Sequence, residues 1–129
     1  MATSTPGGAK TNLGLEPNVA GLLCYVPCCI GLVFSVVAAI VEKQSRFVRF
    51  HAFQSLLLHA AALVLGIGLN VAQFALGVVG LGFVGLLLSL VGMVVGVAFL
   101  GLTIFMMIKA NAGVEFELPV AGPLARQWA

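Results

Sequence analysis

Charge is what this sequence has least of. Only 8% of its 129 residues are Asp, Glu, Lys or Arg, whereas 61% are hydrophobic. Soluble globular domains carry about a quarter charged residues, so that class is excluded. The scarcity is also uneven, because no charged side chain falls between residues 19 and 41 or between 52 and 108. Nothing announces catalysis: there is no Ser/His/Asp arrangement, no pair of carboxylates facing a pocket, no GxxxxGK phosphate loop and no basic-aromatic surface for nucleic acid. Neither an enzyme nor a nucleic-acid binder is expected. Cysteine is scarce too, with three thiols inside "CYVPCC". Structural zinc takes four ligands from paired short spacings, and no second Cys or His cluster exists, so no metal is expected. On a helix Cys24 and Cys28 face one way and Cys29 another, which reads as small packing residues.

What the sequence has is long apolar runs. A helix needs about 20 apolar residues to cross a hydrocarbon core roughly 30 Å thick. Residues 19–41 suffice for one span. The run from 52 to 108 would make a single helix of roughly 85 Å, so it must turn back. Three glycines in "GVVGLG", 77–82, mark the turn. The expected fold is all-α, an integral membrane bundle of three transmembrane helices near 19–41, 52–74 and 83–108, or four if Gly66, Gly68 and Asn70 break the second. Residues 1–17, small and polar with Gly and Pro, read as a flexible tail without the pattern of a cleavable signal. The membrane domain then covers 18–110, and 111–129 form a surface tail.

The stretch "VEKQSRFVRFHAFQS", 41–55, concentrates charge between two apolar runs. Cytoplasmic loops are enriched in Lys and Arg because basic segments are hard to translocate. Lys43, Arg46 and Arg49 therefore belong inside; with three spans Lys109 and Arg126 join them, and the amino terminus with Lys10 lies outside. Arg46, Arg49, Phe50 and Phe53 share one side of a helix at head-group level. Together with Lys43 and His51 they are candidates for contact with lipid or a partner, either as an ordinary interfacial anchor or as a specific site for an anionic head group or a carboxylate.

Several segments carry a resemblance: "LCY" in the first span, "EK" after it, "RFVRFHAFQSLL" entering the second, and "IKANAG", then "F" and "LP", leaving the third. Over residues 18–122 the chain resembles an uncharacterised family of small bacterial and archaeal membrane proteins distantly similar to the Tic-twenty subunit of the chloroplast protein-import translocon. The resemblance implies an integral helical protein of a prokaryotic cytoplasmic (inner) membrane, with no established activity and no catalytic residues to carry over. Tic-twenty proteins are usually described with four spans, whereas this chain reads as three.

In lipid, helices associate through small residues and interhelical hydrogen bonds. The first span offers Gly21, Cys24, Cys28, Gly31, Ser35 and Ala38 on one face; the second Ser55, His59, Ala62, Gly66, Asn70 and Gln73; the third Gly85, Ser89, Gly92, Gly96 and Thr103, where "GMVVG" is a GxxxG pair. These faces are expected to meet in a compact bundle. Polar groups inside spans mark sites by default, and His59, Asn70 and Gln73 are the candidates, as hydrogen-bonding glue or as part of a pathway. A neutral imidazole at His59 could also be an axial ligand, so haem or chlorophyll is the alternative to having no cofactor. Val114, Phe116, Leu118 and Val120 alternate with Glu115 and Glu117, the period of an extended segment. Along the cytoplasmic surface these acids could meet Arg46 or Arg49, with Trp128 anchoring in the head groups.

The function these features point to is that of a small non-catalytic membrane protein that packs with itself or as an accessory subunit of a larger membrane complex. The expected partners are membrane lipids, including anionic head groups, and other membrane subunits. The alternatives are a component of a protein-translocation or transport machine and a histidine-ligated pigment binder.

Overall fold

The computed structural model describes residues 11–129, which form five helices. They are α1 (Pro17–Leu23), α2 (Cys29–Val41), α3 (Arg46–Val78), α4 (Gly82–Asn111) and α5 (Ala121–Trp128). α3 and α4 pair as a long hairpin, about 50 and about 45 Å at 1.5 Å per residue, and both are long and apolar enough to cross a membrane. The turn falls in the glycine-rich stretch. Gly80 adopts φ 80°, its N–H bonds to the Gly77 carbonyl at 3.2 Å, and the Leu81 N–H bonds to the Leu76 carbonyl at 2.8 Å. This Schellman arrangement needs a left-handed residue, which glycine supplies without a Cβ clash. The turn therefore closes its own backbone with no polar side chain. Gly113, at φ 76°, ends α4 by the same device.

The first apolar run does not form the single helix expected over 19–41. It breaks between Leu23 and Cys29, around Pro27, and Cys28 sits at a left-handed φ of 71°. Residues 24–28 fold back on the first turns of α2. A Cβ on Gly31 would lie 2.2 Å from the Val26 carbonyl oxygen, and the Ser35 hydroxyl donates to the Cys24 carbonyl at 3.0 Å. At the other end the Asn12 N–H donates to the Glu42 carboxylate at 2.8 Å. A continuous helix between them would hold these positions about 35 Å apart. The segment therefore runs in along α1 and returns along α2, which corrects both the span over 19–41 and the separation of residues 11–16 from the charged loop. Of the expected flexible tail, residues 1–10, including Lys10, lie outside the described residues. The remainder is ordered as a turn, with Thr11 and Leu15 hydrogen-bonded to each other.

The buried core occupies one end of the hairpin, its base. On α3 the buried residues run from Phe47 to His59; on α4, apart from Gly85, they run from Thr103 to Ala110. α1 packs on α3 and α4, while α2 and α5 pack on α3. Among the described residues, the hairpin from 62 to 101 has only itself for company. Leu63, Val64, Ile67, Phe74, Val94 and Val97 are all largely exposed there. The expected bundle of three full-length helices thus exists only at the base.

Candidate functional site

The base is built around the residues that the apolar runs contain least of, polar ones. Ser45 starts α3 by accepting the Val48 N–H at 3.3 Å, a helix N-cap. The fully buried Glu42 carboxylate takes the N–H groups of Gln44 at 2.8 Å and Ser45 at 2.9 Å as well as that of Asn12. The Asn12 side-chain oxygen accepts in return from the N–H groups of Lys43 and Gln44. A buried carboxylate is tolerated here because several donors satisfy it.

One turn further along α3, His51 is buried among Tyr25, Phe47 and Phe50, whose rings stand edge-on to it at centroid distances of 5.6, 4.5 and 5.2 Å. Gln54 Nε2 donates to the Tyr25 hydroxyl at 3.0 Å and to the Phe116 carbonyl at 2.9 Å, and its Oε1 accepts the Leu118 N–H at 3.0 Å. The Tyr25 hydroxyl shares a second hydrogen bond with His51 Nδ1, 3.1 Å away, and the other ring nitrogen is Nε2. That atom has the Val114 backbone nearby but no well-formed hydrogen bond. The Cys24 carbonyl, freed where α1 breaks, accepts from both Ser35 and Ser55, the latter at 2.5 Å. Each hydroxyl thus stands in for a helical N–H that the broken run cannot supply.

Phe50, expected on the head-group side of the helix, and His51, a candidate for contact with lipid or a partner, both form the interior of the base. Arg49 contacts neither a carboxylate nor open solvent alone. Its guanidinium donates to the Glu42 carbonyl at 3.0 Å, to the Ala39 carbonyl at 3.5 Å and to the Trp128 carbonyl at 3.0 Å, bridging the end of α2 to the end of α5. Lys43 and Arg46 are exposed, and among the described residues their side chains make no hydrogen bond or ion pair. The tail acids pair with Arg126, not with Arg46 or Arg49: Glu115 at 3.1 Å, and Glu117 through Nε. Slight desolvation works against the Arg126 charge, but Glu117 and then Glu115 outweigh it and raise its pKa above the usual arginine value.

The small-residue faces divide. Gly21, Cys24, Gly31, Ser35 and Ala38 are all buried, but Cys28 is exposed at the break, together with Cys29. Buried Ser55 bonds to buried His59, whose ring lies edge-on to Phe99 at 5.9 Å. Toward the tip, Gln73 donates to the Ser89 hydroxyl, which donates to the Gly85 carbonyl at 3.1 Å; Asn70 bonds only within its own helix, to the Gly66 carbonyl at 2.7 Å. A Cβ on Gly92 would reach only Leu69, at 3.6 Å, and one on Gly66 or Gly96 would meet nothing within 4 Å. The GxxxG pair is thus not a tight contact within the chain. Among the described residues no three His, Cys, Asp or Glu side chains come together to hold a metal.

Glu42, Tyr25 and Gln54 were not singled out from sequence. The available signal was the spacing of His51 and Gln54, two polar residues one helical turn apart in an apolar run. The motif "RFVRFHAFQS" is mostly interior: Phe47, Val48, Phe50, His51, Ala52, Gln54 and Ser55 are all buried.

Against known proteins, a family model described as that of the magnetosome magnetite crystal formation protein family matches residues 15–125. The chain is 40% identical to a UPF0132 membrane protein of Methanocaldococcus jannaschii over 119 residues, 92% of this chain and 94% of that protein. It is 34% identical to a UPF0132 membrane protein of Archaeoglobus fulgidus over 113 residues, 88% of this chain and 95% of that one. No solved structure matches.

Proposed function

The chain belongs to the magnetosome magnetite crystal formation protein family, and from that premise we propose that it is a small non-catalytic, multi-pass protein of a prokaryotic cytoplasmic membrane. It works through packing, with lipid, with further copies of itself or with other subunits. The family's description names magnetite crystal formation, whereas the archaeal relatives are named simply as membrane proteins. A membrane role is what the two have in common.

The observation that carries the reading is one-sidedness. Every charged side chain among the described residues belongs to the base, the loops and helix ends that meet there, or the tail, and none lies between residues 50 and 108. Lys43, Arg46, Arg49, Lys109 and Arg126 gather at that end, so the base faces the cytoplasm. In this reading α3 and α4 cross the membrane, while α1 and α2 enter and leave it on the cytoplasmic side. Such a re-entrant backbone is tolerated in a membrane where protein groups satisfy it, as Ser35 and Ser55 do for Cys24. Lys43 and Arg46 are left for anionic head groups.

The likeness to the Tic-twenty subunit would make the chain a translocation component. The motif behind that likeness is occupied in packing the base, so packing is the role we adopt. Haem or chlorophyll on His59 has less behind it, because Ser55 and Phe99 already surround that ring.

Single cysteines test the placement. In variants carrying Cys24→Ala, Cys28→Ser and Cys29→Ser, the substitutions Glu16→Cys and Lys43→Cys should each react with an impermeant maleimide only in inverted membrane vesicles. Val79→Cys, at the tip, should not react from that side. Reaction of positions 16 and 43 from opposite sides would sink the proposal.

A further inference from the structure

The helices are distributed unequally along the hairpin axis. Around the first 14 residues of α3, about 20 Å, stand α1, α2, α5 and the last turns of α4. Over the remaining length of about 28 Å there are, among the described residues, only α3 and α4. The base cannot simply stand in water, because the outer face of α2 is apolar throughout: Ile30, Val33, Val37 and Ile40 are 64, 60, 41 and 65% exposed. With Ser35 buried and no charged residue in α2, hydrocarbon is what fits that face. One leaflet thus receives up to five helix cross-sections and the other two, each about 10 Å wide.

We propose that the protein is a membrane wedge whose ligand is lipid of one curvature: it partitions to, and favours, bilayers that are convex on the side of the charged base. A wide insertion in one leaflet relieves the packing deficit of a convex surface, as interfacial helices do. The feature that makes the wedge is the folding back of 17–41 on the near side. A straight span there would have given both leaflets the same cross-section. At the narrow end, Gly68, Gly77 and Gly96 have open space above their Cα atoms, so nothing among the described residues fills the deficit.

The proposal rests on the one-sided placement above, and the test separates the two. The full chain, labelled with a fluorophore at Gln127→Cys in the background lacking the native cysteines, is reconstituted into vesicles of fixed composition spanning radii of about 25 to about 200 nm. Protease access to the tail reports orientation, independently of density. Tail-outward protein should be about threefold denser per lipid area in the smallest vesicles than in the largest, and tail-inward protein should be depleted there. The combined Gly68→Leu, Gly77→Leu and Gly96→Leu variant adds bulk only at the narrow end; it should keep the thermal stability of the parent and lose about half of the size dependence. Density independent of radius, or a preference for tail-inward placement in small vesicles, overturns the wedge. So does an unchanged size dependence in the triple variant, which would trace the preference to the tail helix alone. If second copies fill the narrow end instead, the parent shows no size dependence, and that too counts against it.

Discussion

Asn12 and Glu42, 30 residues apart in sequence, hold each other through a 2.8 Å hydrogen bond from backbone N–H to carboxylate. That contact pins the entrance of α1 to the exit of α2. Removing the acceptor leaves the N–H groups of Asn12 and Ser45 without their partner and Gln44 with only the Asn12 side-chain oxygen. Glu42→Leu should therefore cost about 2–4 kcal/mol. The check is thermal unfolding in detergent together with protease cleavage near Glu16, which should become faster in the variant.

Gln54 serves the tail as a strand partner would, donating to Phe116 and accepting from Leu118. Gln54→Leu keeps the volume but leaves the Tyr25 hydroxyl with His51 as its one partner and strands both backbone groups. The expected outcome is a loss of about 2–3 kcal/mol and early proteolytic release of α5. Unchanged tail protection would show that α5 is held by its apolar face alone.

The two loop arginines should behave differently. Arg49 reaches carbonyls of α2 and of Trp128 at once with separate nitrogens, a geometry that a single ammonium cannot copy. Arg49→Lys should speed tail cleavage several-fold, a loss of about 1–2 kcal/mol. Arg46→Lys should match the wild type, since charge at the interface is all that position supplies. Equal cleavage in both variants would return Arg49 to the status of an anchor.

Glycines that look alike in sequence should separate on substitution. At Gly31 a methyl group would overlap backbone at Val26 and Cys24, which cannot move without unfolding the reversal. Gly31→Ala is expected to destabilise by about 3 kcal/mol or more. At Gly96 a side chain enters open space, and Gly96→Leu should melt within about 0.5 kcal/mol of the parent. Detergent melting curves of the pair decide the matter. Matching losses would mean that the narrow end of the hairpin packs more closely than these contacts allow.

Much of the α3–α4 hairpin was legible because its signals are local. The run of 57 uncharged residues is too long for one crossing, and "GVVGLG" supplies the left-handed residue at Gly80 that closes the turn. The base was far less legible. Periodicity put Arg46, Arg49, Phe50 and Phe53 at head-group level, with His51 beside them as a candidate for contact, but whether such residues face lipid depends on what packs over them. Here that is α1 and the tail, from 26 and more residues away. Segment 121–128 gave no helical signal against the alternation that precedes it, and α5 forms where it can lay Trp128 against Phe53, 5.9 Å between ring centroids.

By itself the sequence determined that this is a membrane protein with a long hairpin and one charged end. Transfer into hydrocarbon depends on the content and length of a run, not on its neighbours. Only the tertiary structure decided the course of residues 17–41. A run of that length can satisfy its backbone as one helix across the bilayer or as two short helices meeting at Pro27, and the two courses differ little in apolar content. The choice falls to contacts distant in sequence: the Ser55 hydroxyl on the Cys24 carbonyl, and Glu42 on Asn12. These stabilise the folded-back course only once α3 is in place to supply them.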